Sequence, residues 1–463
     1  MPESQTNSGA DLHLVLSGTG LRAGLTDALR DAVRSGRLTP GSRLPASRAL
    51  AADLGVSRST VTESYAELVA EGWLTARQGS GTRVARRATA AVQPPRRPTP
   101  RPAEALMPGA SDFASFPRAP WLAAARRALD SAPHGAFGYG DPLGRPELRT
   151  ALADYLSRVR GVSSDPGRIV ICSGFHHGLS LIAHALKARG GRAVAVEAYG
   201  LDLYRALLAD AGLEVPLIPV DEHGARVGEL RDVAAVLLTP AHQFPTGFAL
   251  SAERRAAVLD WARTTGGLIL EDDYDGEFRY DRKPVGALQG LDPDRVVYFG
   301  TASKSIAPAL RVAWMVTPGP LLPDVAAAKG RVETVSVLDQ LTLAEFITSG
   351  AFDRHVRGRR QTYRRRREQL IAALGRAAPE VRVTGMAAGL QAVLELPPGT
   401  EEPALRAAAR RGLKISSLAE FRHDAMSDRD ALVVNFSAVS DSAWDGTLDA
   451  LAEVLRATHT TSV

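Results

Sequence analysis

Lysine is rare in this chain, with five against 51 arginines, and one of them, Lys304, follows a short apolar run in the string Gly300-Thr301-Ala302-Ser303-Lys304. Arg311 stands seven residues further on. Other groups able to do chemistry also stand directly after apolar runs. Ser173-Gly174-Phe175-His176-His177-Gly178 reads as a tight turn into a helix, suited to holding an anion on free backbone N–H groups. Tyr199 follows a second run, Thr239-Pro240-Ala241-His242-Gln243-Phe244 a third, and Glu271-Asp272-Asp273-Tyr274-Asp275 closes a fourth. An amine, a carboxylate, an aromatic ring, an anion cradle and an arginine form a set with a definite use. Pyridoxal 5′-phosphate needs a lysine for a Schiff base, a carboxylate to keep its pyridine nitrogen protonated, and donors with an arginine for its phosphate. The neighbouring His176 and His177 do not suggest a metal site, because adjacent side chains diverge and no third ligand is at hand.

Positioning such groups requires strands that end on one edge. The runs Arg168–Cys172, Ala193–Glu197, Ala235–Thr239, Leu268–Glu271, Val296–Phe299 and Val312–Val316 are short and continuously apolar, as in parallel sheets covered on both faces by helices. Ligands of open α/β sheets bind at the carboxyl ends of strands, where all these groups lie. The fold class is therefore α/β, with a mostly parallel sheet and, given the length of the segment 103–463, a small C-terminal α+β subdomain.

The first 84 residues read differently. Leu21, Leu25, Ala28, Leu29 and Val33 have helical spacing, and Pro40-Gly41 marks a turn. A short helix with Leu50 and Leu54 inward ends at Gly55. Ser57 caps a third helix with Val61, Tyr65, Leu68 and Val69 on one face and Gly72 as its stop. Residues 73–77 and 82–84 flank Gln78-Gly79-Ser80-Gly81 as a hairpin. Three helices and a hairpin make a winged helix-turn-helix, whose second helix of the pair enters the major groove.

The chain has 463 residues, 45% hydrophobic and 23% charged, which fits a globular protein of more than one domain. No run approaches the ~18–20 apolar residues of a membrane helix, and the N-terminus lacks the apolar stretch of a secretory signal, so a cytoplasmic protein without membrane contact is expected. The single cysteine, Cys172, excludes a disulfide framework and reads as a small buried hydrophobe. Residues 1–84 hold 9 basic and 8 acidic side chains, and residues 103–463 hold 42 and 43. The positive excess sits between them, in residues 85–102, with five arginines, no acid and five prolines. Three segments follow: 12–84 for DNA, 85–102 as an Arg/Pro-rich linker, and 103–463 as the large domain.

Residues 20–84 resemble the winged-helix domain of the GntR regulators through the string SGRLTPGSRLPASRALAADLGVSRSTVTESYAELVAEGWLTARQGSGTRV. The resemblance implies operator contacts by Arg48, Ser57, Arg58, Ser59 and Thr60, and by Gln78 and Gly79 at the wing tip. Thr62 replaces an arginine found in fatty-acid-responsive relatives, so their base preference does not carry over. The rest resembles the fold-type-I aminotransferases, and the order of parts is that of the MocR subfamily of GntR regulators. The strings FGYGDPLGRPELRTALADYLSRVRG, TPAHQFPTG, ILEDDYDGEFRY and GTASKSIAPALR carry this likeness.

By that resemblance Lys304 is the Schiff-base lysine, and Ser303 and Arg311 hold the phosphate. Thr301 helps, as do the backbones of Phe175 and His176. Tyr199 stacks on the pyridine ring, Tyr274 donates to the ring hydroxyl, and Asp272, in preference to Asp273, pairs with the ring nitrogen. Tyr139 matches a tyrosine that reaches the partner subunit's phosphate, which implies a homodimer. The linker spans about 23 Å as a coil, or about 56 Å as polyproline II, enough for a domain-swapped arrangement. Two positions depart from the aminotransferase pattern. Phe244 replaces the asparagine that meets the ring oxygen, leaving Gln243 or His242 as substitutes. Val433 stands in place of the arginine that clamps a substrate carboxylate, with Arg422 and Arg429 nearby. Without that clamp an amino acid is poorly oriented for transamination. The expectation is a regulator that binds pyridoxal phosphate and operator DNA and senses a small amine, amino acid or vitamin B6 effector. The alternative is an active aminotransferase with an accessory DNA-binding domain.

Overall fold

The computed structural model describes residues 20–77, 81–85, 104–280, 285–424 and 429–459. The chain divides into two units, Met1–Thr99 and Pro100–Val463. In the first, helices Leu21–Arg34, Ser47–Leu54 and Arg58–Ala70 precede an antiparallel hairpin of Leu74–Arg77 with Gly81–Val84, in which Leu74 faces Val84. Leu25, Leu29, Val61, Leu68 and Leu74 are buried together. Full burial of each such side chain contributes about 1.5–3 kcal/mol. Leu21 lies one turn before this stripe and is 62% exposed, so it is not part of the apolar face that its spacing suggests. Between the second and third helices, Gly55 takes a left-handed conformation (φ 66°) and ends one helix. Ser57 opens the next by accepting the Thr60 N–H at 3.1 Å.

The second unit is built on a seven-stranded sheet. Its order is Ile169–Cys172, Ala313–Val316, Val296–Thr301, Leu268–Asp272, Ala235–Leu238, Val194–Glu197 and Leu217–Ile218. Only Ala313–Val316 runs against its neighbours, where the apolar runs alone suggest parallel strands. The cause is the connection from Thr301 to Ala313. A parallel return needs a crossover of a dozen or more residues, and the segment 302–312 is shorter. The chain therefore turns back beside its own strand, and the turn brings Lys304 and Arg311 to the same end of the sheet. Leu217–Ile218 is a two-residue edge strand that no periodicity announces.

A second sheet in this unit is antiparallel and four-stranded, in the order Arg382–Thr384, Ala392–Glu395, Ala431–Val434 and Ser416–Ser417. With helices Glu401–Arg410 and Trp444–His459 it forms the small C-terminal α+β subdomain. Among the described residues no helix is long and apolar enough to cross a membrane.

Candidate functional site

All strands of the large sheet except Ala313–Val316 run in one direction, so their carboxyl ends share an edge, and a cleft of about 910 Å³ (counted with its open mouth) lies there. Tyr199, Asp272, Tyr274 and Lys304 line it together, with Phe244 beside them. Burial pushes the Lys304 ammonium below the usual lysine range, and Asp275 and Asp272 oppose that shift. A lysine so placed holds more of the neutral, nucleophilic amine at neutral pH.

The carboxylates divide by strand alternation, which sends neighbouring residues to opposite faces. Asp273 accepts Arg160 Nε at 2.6 Å, Arg160 Nη2 at 3.1 Å and the Tyr298 hydroxyl at 2.7 Å, all in the interior. Asp272 faces the cleft instead. Burial, followed by Asp273, Asp275 and Glu197, holds its carboxyl well above the ordinary range, while Lys304 pulls it back. A cationic ring nitrogen placed against it would relieve that cost. The Tyr274 hydroxyl lies 3.0 Å from His242 Nδ1, which is 2.8 Å from Asp275 Oδ2.

Further along the same edge, Arg311 (φ 51°) is exposed and its guanidinium lies over Gly174. A Cβ built on Gly174 would come within 2.7 Å of Arg311 Nη2. Gly174 directly precedes helix Phe175–Ala188, so the guanidinium and the free N–H groups of that first turn face one space. The Ser303 N–H donates to Thr301 Oγ1 at 3.1 Å, and the two hydroxyls are 2.9 Å apart. His176 Nε2 is buried without a partner among the described residues. The Phe175 ring packs on Phe299 at 5.0 Å and on Tyr204 at 4.7 Å, which fixes the helix start. An arginine, an orphaned imidazole nitrogen, a serine hydroxyl and a helix start suit a phosphate, so the residues present fit pyridoxal phosphate.

Several residues singled out from the sequence fall elsewhere. Tyr139 is fully exposed and does not line the cleft of its own chain. Gln243 does not substitute for the missing asparagine, because its Nε2 donates to Glu197 at 3.3 Å and to the Tyr199 carbonyl at 3.1 Å, beneath the cleft floor. His242 acts on Tyr274 rather than facing the cleft. Arg422 donates to Asp424 at 2.6 Å and Arg429 pairs with Glu395, and neither lines the cleft. Val433 is fully buried, packed with Tyr199, Phe421 and Val393.

The cleft also contains groups that the sequence reading missed: Glu197, Arg205, Gln391 and His423. Glu197 accepts the Thr239 hydroxyl at 2.6 Å and the Thr239 N–H at 3.1 Å, and burial pushes its carboxyl up to about 7. It ends an apolar strand as Asp272 does, a signal that is present in the sequence. In the small unit Arg48, Ser57, Arg58 and Ser59 are exposed and Thr60 is half-buried, all near the start of the second or third helix. Gln78 and Gly79 lie outside the described residues.

A winged helix-turn-helix followed by an aminotransferase scaffold with a cleft lysine defines a DNA-binding protein with an aminotransferase-like second domain. Residues 21–84 match the family described as bacterial regulatory proteins, gntR family, and residues 109–446 match aminotransferase class I and II. The chain is 33% identical over 423 residues to the HTH-type pyridoxine biosynthesis transcriptional regulator PdxR of Corynebacterium glutamicum, covering 89% of this chain and 92% of the relative. It is also 33% identical to the probable rhizopine catabolism regulatory protein MocR of Rhizobium meliloti, covering 86% and 87%. The crystal structure of Pyrococcus horikoshii kynurenine aminotransferase, solved with PMP, superposes with a TM-score of 0.67 at 26% identity, covering 76% of this chain and 90% of that one. The chain belongs to the MocR subfamily of GntR-type transcription regulators.

Proposed function

We propose that this regulator binds pyridoxal 5′-phosphate through Lys304 and uses the loaded cleft to sense a small amine, amino acid or vitamin B6 effector. The observation that carries this reading is the convergence of Lys304, Asp272, Tyr199 and Tyr274 on one cleft, with Arg311 over Gly174 at the sheet's edge. When bound, the cofactor supplies an electrophilic carbonyl carbon able to capture an amine. The chain's own residues do the rest. Lys304 offers its amine for attachment, and Arg311, Ser303, Thr301 and the first turn of helix Phe175–Ala188 (Phe175 and His176) hold the phosphate. Tyr199 covers one ring face, Asp272 balances a proton on the ring nitrogen, and Tyr274, oriented by His242, donates to the ring oxygen.

Val433, apolar and buried, leaves no guanidinium where an aminotransferase clamps its substrate carboxylate, which favours sensing over turnover. The name of the Corynebacterium relative supports vitamin B6 supply as one setting for the effector. We further propose a cytoplasmic homodimer, domain-swapped through residues 85–102, in which Tyr139 serves the partner's phosphate. The exposure of Tyr139 supports this. Arg48 and Arg58 would read operator bases while Ser57, Ser59, Thr60, Gln78 and Gly79 contact its backbone.

Borohydride reduction of the cofactor-loaded protein followed by peptide mass mapping tests the reading. The expected result is the cofactor mass on the peptide containing Lys304, and none in Lys304→Ala. A label elsewhere, or no label, overturns it.

A further inference from the structure

One corner of the cleft has no part in holding the cofactor. Arg205 lies on helix Asp202–Asp210 and lines the cleft beside His423, the two sharing Asp202 as a neighbour, and Gln391 lines the same cleft from the C-terminal subdomain. Arg205 Nε is buried without a partner among the described residues, and so is Nε2 of Gln391, whose residue is only 5% exposed. Asn435 also lines the cleft, but its amide is committed: Nδ2 donates to the Met107 and Ala110 carbonyls, and Oδ1 accepts from Ser437. The free polar capacity of these residues is mostly of donors, a guanidinium N–H and a carboxamide NH₂, beside the His423 Nδ1 that Asp202 approaches. Burying such groups unpaired is costly, so a ligand that accepts from them is favoured.

A stand-in for that ligand is already visible. Asp202 Oδ1 lies 3.5 Å from Arg205 Nη1 and 3.0 Å from His423 Nδ1, so one carboxylate oxygen touches both nitrogen groups. The Asp202 side chain is 80% exposed, and an ion pair that open is weak enough for an incoming acid to displace.

We propose that the effector carries an acidic group, a carboxylate or a phosphate, bound at the Arg205–Gln391–His423 corner with Asp202 as its internal competitor. The anion anchor that Val433 does not supply is then provided from a helix of the large domain. The inference rests on the reading of this cleft as the cofactor-bearing effector site, and makes the effector an amine with an anionic tail.

Calorimetric titration of the full-length, cofactor-loaded protein tests it, with β-alanine, O-phosphoethanolamine and n-propylamine as probes and succinate as an amine-free control. At least one anionic amine is expected to bind about tenfold or more tightly than propylamine. Whether β-alanine or O-phosphoethanolamine leads identifies the acid as carboxylate or phosphate. Arg205→Gln is expected to remove that preference, Arg205→Lys to restore part of it, and Asp202→Asn to strengthen it. Equal binding of propylamine, an unchanged preference in Arg205→Gln, or no binding of either anionic amine at millimolar concentration overturns the proposal. Succinate separates the two readings. An Arg205-dependent succinate signal in protein lacking cofactor upholds the corner even if Lys304 attachment fails, and its absence there, with Lys304 labelled normally, refutes the corner alone.

Discussion

Replacing Gly174 by alanine probes the phosphate end of the cleft with a single methyl group. Gly174 has φ 134° and ψ 167°, a region that only glycine occupies readily, so the substitution costs about 1–3 kcal/mol of backbone strain. The methyl would also sit 2.7 Å from Arg311 Nη2 and 3.1 Å from Cζ, inside the ~3.5–4.0 Å of an ordinary contact. The guanidinium is the exposed end of a flexible side chain, so it swings aside at little steric cost, but it leaves the phosphate when it does. A hydrogen bond to a charged group contributes about 1.5–3 kcal/mol, so cofactor affinity should fall roughly ten- to 150-fold. Absorbance titration of Gly174→Ala, Arg311→Ala and the double variant with pyridoxal phosphate measures this. Because both changes act through one guanidinium, the double variant should lose little more affinity than Arg311→Ala alone. Full additivity of the two losses, or wild-type affinity in Gly174→Ala, would refute the reasoning.

Arg160→Ala strands the Asp273 carboxylate in the interior and should destabilise the large domain by about 3–5 kcal/mol in denaturant unfolding; a loss under 1 kcal/mol would contradict the buried pair. Glu197 has a folded-state pKa of about 7 against 4.5 unfolded, so the folded chain binds more protons in that window. Its contribution is fully present below the unfolded pKa and is lost as pH rises through about 7. Unfolding of Glu197→Gln at pH 5 and pH 8 should therefore show the variant gaining on wild type by up to about 3 kcal/mol, and a parallel pH dependence would count against the buried acid. Arg48→Ala and Arg58→Ala should each weaken operator binding by about 1–3 kcal/mol, with wild-type binding falling steeply as salt is added; gel-shift titration at several salt concentrations reads both.

The strands of the large sheet are legible in the sequence because a short, continuously apolar run bounded by turn residues suits a strand buried on both faces. The direction of Ala313–Val316 is not legible, since it follows from the length of the preceding connection rather than from the residues of the strand. Lys304 and Arg311 stand out by rarity and spacing, and Asp272 by closing a buried strand. Glu197 closes its strand in the same way, but Tyr199 two residues on is the more conspicuous group. Arg205, Gln391 and His423 are ordinary surface-type residues, far apart along the chain. Only the meeting of helix Asp202–Asp210 with the C-terminal subdomain brings Arg205 and His423 together, and no spacing within the sequence encodes that contact or puts Gln391 on the same cleft. Gln243 and His242 show that polar residues next to a site need not face it. Both are absorbed by partners beneath it.

If Lys304 holds the cofactor as proposed, its loading should change the grip of the winged helix on DNA. Fluorescence-anisotropy titration of operator DNA against wild type and Lys304→Ala, each with and without pyridoxal phosphate, tests it most directly. Cofactor should change the operator affinity of wild type several-fold or more and leave Lys304→Ala at the affinity of the unloaded protein. An equal response in both proteins, or none in wild type whose Lys304 is fully loaded, would contradict the claim.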